Sequence, residues 1–209
     1  MARVGECFGI LCSNIADLPT QRFSIAHELG HFLLDGHVDA AIRPAPGRDG
    51  VSPSEVRRLE READAFAAAL LMPSDLCLDG LVRFADPAAA IRGLASKAVT
   101  SLTSAALRAT QLTDERLCVA LSQDGVVTAF FQSRAARALG PSWGSLLGGR
   151  IQELRRSDGA SDGWRAASEV WAGAMPGVDT REQVVQVGSR AFLTILSPDP
   201  RRAGVPRTA

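Results

Sequence analysis

The sequence predicts an α+β fold. A helical core built around an H-E-x-x-H helix comes first, preceded by a short edge strand. A helix-turn-helix-like helical segment follows, and a small α+β domain closes the chain. Three observations predict this. Apolar residues recur at helical spacing through 23–34 and again through 56–70. The helical pattern then continues from Ser74 to about Gln111. From Arg116 the period drops to two, with turn signals at Asp124-Gly125 and Gly188-Ser189. The boundaries expected are 1–85 for the core, 86–114 for the helical segment and 115–209 for the C-terminal domain.

Composition excludes several classes. The chain has 209 residues, enough for one large domain or two small ones. It is 46% hydrophobic with mean hydropathy +0.05, which is globular rather than disordered. Lys plus Arg (23) balance Asp plus Glu (23), so no net charge draws it to nucleic acid or a membrane surface. No run of about 18 apolar residues and no basic region ahead of an apolar one is found. Cys7, Cys12, Cys77 and Cys118 form no C-x-x-C pair and read as free thiols. A cytoplasmic location is expected.

The first element is a strand over Phe8–Asn14, of the kind that borders a cleft and pairs with extended substrate. Pro19-Thr20 marks entry to the next helix and Asp35-Gly36 its stop. That helix holds His27-Glu28-Leu29-Gly30-His31. Positions i and i+4 share a helix face, so His27 and His31 point two imidazoles at one ion. Glu28 sits beside the pair, placed to act on a metal-bound water without being a ligand. Two of the chain's three histidines lie here, and the flanks Phe23, Ile25, Ala26, Leu29, Phe32, Leu33 and Leu34 are apolar, which should bury the helix. Three fixed residues also recur by chance in unrelated chains, so the motif needs a partner.

A catalytic zinc takes three protein ligands and keeps one open position. The third comes from a later helix. Residues 40–51 are rich in Pro, Gly and charge and read as a loop. Ser52-Pro53-Ser54-Glu55 is a capping box with proline at the first helical position. The helix then runs to about Leu71, with Val56, Leu59, Ala63, Phe66, Ala67 and Leu70 as its apolar stripe. On it, Glu60 and Asp64 share a face, so Glu60 can ligate and Asp64 can accept the second ring N–H of a ligand histidine. Glu62 lies roughly 160–200° away on the wheel. Glu60 is preferred and Glu62 is the alternative. The plain alternative is a charged face paired with Arg57, Arg58 and Arg61.

Taken together, Arg22-Phe23-Ser24-Ile25-Ala26-His27-Glu28-Leu29-Gly30-His31 and the block from Glu60 to Pro73 resemble the ImmA/IrrE family of metallopeptidases. The resemblance covers about the first third of the chain. It implies that two histidines and a glutamate hold the metal, here His27, His31 and Glu60. It also implies regulatory cleavage of a helix-turn-helix transcriptional repressor encoded nearby. Members usually have more chain ahead of the first strand, so an N-terminal portion is expected to be missing. Members also carry a degenerate helical segment after the core, and some a sensor-like domain of the GAF type.

Asp86-Pro87 opens the next helix, and residues 94–108 read like a helix-turn-helix. Only Arg108 and Gln111 could read base edges, so a packed helical hairpin is preferred and direct nucleic-acid binding is not expected. Two hairpins follow, Leu117–Phe131 and Gln183–Leu196, with a Gly-rich loop over 140–149 and a helical stretch around Trp164–Ala174 between them. The Pro- and Arg-rich tail after Pro198 should fray.

The function expected is a metal-dependent endopeptidase: His27, His31 and Glu60 hold the metal, and Glu28 moves the proton. Zinc suits this donor set, as do manganese and iron. The alternative is an inactive relative that binds a repressor or DNA. Tyrosine is absent, and the spare histidine is His37. The oxyanion could be met by His37, an arginine of the Arg43–Arg48 loop, a backbone N–H or the metal alone; the metal plus one donor from segment 37–48, ordered by a partner, is expected. The plain reading of His37 is an exposed loop residue.

Overall fold

Asp17 begins the first helix by turning its carboxylate onto the backbone: its side chain accepts from Thr20 N at 2.9 Å. The computed structural model describes residues 2–4, 7–12, 14, 16–37, 52–77, 86–139, 164–167, 171 and 174–201. Expectations for the 40–51 loop with Arg43 and Arg48, the Gly-rich 140–149 loop and the tail beyond 201 lie outside the described residues. The chain divides into two compact units, Met1–Leu76 with Leu94–Ser101, and Cys77–Gly93 with Leu102–Ala209.

In the first unit, β1 (Ala2–Val4) pairs antiparallel with β2 (Cys7–Gly9). The strand expected over Phe8–Asn14 is corrected to this shorter element. Residues 10–12 and 14 join no sheet, and Leu11 stands 85% exposed. With no neighbour there among the described residues to complete a ladder, the apolar run has no reason to stay extended. Helix α1 (Leu18–Leu33) and helix α2 (Pro53–Leu71) pack together. Ser52 caps α2, its Oγ accepting from Glu55 N at 3.2 Å. Helix α3 (Pro87–Ala98) follows, with the Asp86 carboxylate taking Ala88 N and Ala89 N. Val99 has a φ of 51°, and helix α4 (Leu102–Leu112) belongs to the second unit.

The second unit is built on an antiparallel sheet of order β4-β3-β7-β6-β5. Its strands are β3 (Cys118–Gln123), β4 (Val126–Gln132), β5 (Arg165–Ala166), β6 (Thr180–Gln186) and β7 (Ala191–Pro198). Asp124 and Gly125 both have positive φ (54° and 78°), as a two-residue hairpin whose twist matches its strands requires. Ala105, Ala106 and Ala109 are fully buried where α4 meets β3 and β4, since only small side chains let helix and sheet approach closely. Phe130 and Trp171 stack, ring centres 6.3 Å apart, within a core that includes Cys118, Val127, Val184 and Leu196. Burial there pushes the Cys118 thiol up to about 12.

The helical stretch expected around Trp164–Ala174 is corrected at its start, while residues 168–170 and 172–173 lie outside the described residues. Arg165 and Ala166 form β5, paired with Glu182 and Arg181. Trp164 donates Nε1–H to Asp86 at 3.0 Å and lies under the Arg181 guanidinium, 4.2 Å from the ring centre. Pairing with β6 satisfies backbone groups that a helix would have satisfied internally.

A short helix, α5 (Arg134–Arg137), hangs on one hydroxyl. Buried Ser133 Oγ donates to Glu115 O (2.7 Å) and accepts from Leu117 N (3.1 Å) and Ala136 N (3.2 Å). Ser133→Ala strands all three groups and should lower stability by roughly 1–3 kcal/mol. Urea denaturation of the full chain reads this out. An unchanged midpoint would show that the cap carries no energy.

Candidate metal centre

The centre is set by how closely α1 and α2 approach. Ala26 on α1 and Ala63 and Ala67 on α2 are buried to 2% or less. Between them sits Gly30, and a Cβ there would meet Phe66 Cδ1 at 3.0 Å and the Ala63 backbone at 3.3 Å. Smallness at this crossing brings the faces carrying His27 and His31 against those carrying Glu60 and Asp64. The apolar flanks do less than expected: Ile25, Phe32 and Leu33 are 40–56% exposed. The helix is held by its small residues rather than its large ones.

The ring nitrogens His27 Nε2 and His31 Nε2 lie 3.1 Å apart. The Glu60 carboxylate faces both, at 3.3 Å from His27 Nε2 and 3.5 Å from His31 Nε2. Among the described residues, His27, His31 and Glu60 form the group whose ligand atoms converge within 4.8 Å. Two nitrogens on a tetrahedral ion with bonds of about 2.0–2.1 Å would stand roughly 3.3 Å apart. The donor set and its spacing therefore fit a metal ion. Glu60 is about half exposed, so the face opposite the helix crossing is open to solvent.

Each histidine is held from behind. His27 Nδ1 donates to Asp64 Oδ1 at 2.9 Å, which leaves Nε2 as the lone-pair nitrogen turned toward Glu60. His31 is the more enclosed, and burial pushes its pKa down, with the Glu60 carboxylate opposing. That direction favours the neutral ring that metal ligation needs. Behind it stands His37, with Nδ1 3.0 Å from His31 Nδ1 and Nε2 3.0 Å from Glu62 Oε2. Glu28, beside His27 on α1, is half-buried.

Two expectations fail at His37. It is 1% exposed, not a surface residue, and both ring nitrogens are spent on His31 and Glu62, so it offers no donor to an oxyanion. Sequence reasoning missed its place behind the ligand pair. The signal was Gly36, whose φ of +79° turns the chain back on α1 just past its end. Glu62, the alternative ligand, is bound to His37 and to Arg58 (2.6 Å), and these two bonds lower its pKa. It stands apart from the converging group.

Residues 10–109 match the Peptidase_M78 model, the IrrE N-terminal-like domain. The radiation response metalloprotease IrrE of Deinococcus radiodurans is 32% identical over 116 residues, 56% of this chain and 35% of that protein. The protein of the same name from Deinococcus deserti is 40% identical over 85 residues, 41% of this chain and 30% of that one. The chain thus matches about a third of the length of these relatives. A Mycobacterium tuberculosis transcriptional regulator shares the fold, with TM-score 0.50 and 15% identity over 91% of this chain and 68% of its own. Among the described residues no helix is long and apolar enough to cross a membrane. Residues 10–109 are thus similar to the IrrE N-terminal-like domain of the ImmA/IrrE metallopeptidases.

Proposed function

We propose that the chain is a metal-dependent endopeptidase that cleaves a helix-turn-helix transcriptional repressor in the cytoplasm. The observation that carries the reading is the convergence of two imidazole nitrogens and one carboxylate on a single point, open on one side. His27, His31 and Glu60 would hold the ion, with zinc the first choice for two nitrogens and one oxygen. When bound, the ion supplies Lewis acidity to the peptide carbonyl and to the attacking water. Glu28 takes a proton from that water and delivers it to the leaving amine. Asp64 keeps His27 turned toward the site. Residues 1–85 form the peptidase core, 86–114 a helical segment and 115–209 a domain of GAF-like, sensor type; a five-stranded antiparallel sheet supports that last assignment.

The test uses the purified full chain, zinc and the repressor encoded beside its gene. Cleavage should stop on chelation and return with zinc. Glu60→Gln should bind zinc about 10-fold or more weakly. Glu62→Gln, which keeps an oxygen for His37 to donate to, should bind it close to normally. Cleavage that survives complete metal removal would end this reading, and tight zinc binding by Glu60→Gln would move the third ligand elsewhere.

A further inference from the structure

We infer that His37 is a positioning residue for His31, and that Glu62 dictates the tautomer of both rings. This rests on the reading above, in which His31 is a ligand through Nε2. Glu62 ionised can only accept, so the proton at its 3.0 Å contact belongs to His37 Nε2. In that Nε2–H tautomer His37 presents a lone pair at Nδ1. The facing atom, His31 Nδ1 at 3.0 Å, must carry the proton between them. That leaves the lone pair of His31 on Nε2, the nitrogen that faces His27 and Glu60.

The surroundings make the relay firm. The His37 side chain has no exposure, so water does not compete for either nitrogen. Arg58 holds the other oxygen of Glu62 at 2.6 Å. Gly36, at φ +79°, provides the reversal that returns His37 to α1, and His37 N donates to Leu34 O at 3.3 Å. The two ligand histidines are therefore oriented differently: His27 by one exposed carboxylate, His31 through a buried second imidazole.

Cobalt(II) tests this on the purified full chain, with affinity read by chelator competition and geometry by the visible d–d bands. His37→Leu removes the acceptor for His31 Nδ1–H. It should weaken cobalt binding about 10–100-fold and shift the bands. His37→Gln can accept through its amide oxygen and still donate to Glu62, and should restore both affinity and bands. Glu62→Leu, changed outside the core, should weaken binding in the same direction and decides the matter if His37→Leu does not fold. The inference falls if a folded His37→Leu binds cobalt as wild type does with unchanged bands. It also falls if His37→Gln is no better than the leucine variant, or if Glu62→Leu binds normally. Failure of the wild type to bind cobalt would overturn the metal centre itself, and this inference with it.

Discussion

Glu28→Gln should keep its metal and lose roughly 10²–10⁴-fold in repressor cleavage. Glutamine has nearly the same shape and can still hydrogen-bond to water, but it cannot take a proton. Glu28 is not among the three groups whose ligand atoms converge. Its loss should therefore leave zinc stoichiometry and affinity unchanged while kcat collapses. Measuring both on one preparation separates the roles. If the variant is isolated without metal, Glu28 holds the ion or the helix, and the proton route assigned to it is wrong.

Gly30→Leu should remove metal and activity together. The close crossing at Gly30 leaves no room: even a Cβ meets the Ala63 backbone at 3.3 Å. Phe66 can turn away, but the Ala63 backbone cannot move without carrying α2 with it. Overpacking of this kind costs about 1–3 kcal/mol. The larger effect is geometric, because Glu60 is one turn from Ala63 and would retreat from His27 and His31. Zinc affinity should drop at least as far as in Glu60→Gln, with the far-UV circular dichroism of a folded protein. Gly30→Ala asks for a few tenths of an ångström and should fall between. A leucine variant that binds zinc normally would show that the crossing does not set the site.

Much of the local structure was legible in the sequence because its causes are local. Ser52-Pro53-Ser54-Glu55 starts α2 through one hydroxyl and one backbone N–H. Asp124-Gly125 makes the hairpin because these residues tolerate positive φ. The i, i+4 spacing alone puts His27 with His31, and Glu60 with Asp64. Where a pairing partner decides, the sequence misled. Residues 10–12 read as strand but pair with no strand among the described residues, and Arg165-Ala166, with a helical look, pairs with β6.

What the sequence by itself determined is the inventory of the site: two histidines and their glutamate on one face, two carboxylates on another, and a glycine small enough to let those faces meet. What only the tertiary structure decided is which carboxylate joins the histidines and what stands behind them. Glu60 and Glu62 differ by two positions on one helix and are alike in charge and reach. The α1–α2 crossing turns Glu60 inward and gives Glu62 to His37 and Arg58. His37 likewise is an unremarkable residue after a helix stop until Gly36 folds it back into the dry space behind His31, where a ring nitrogen must have a partner and finds one.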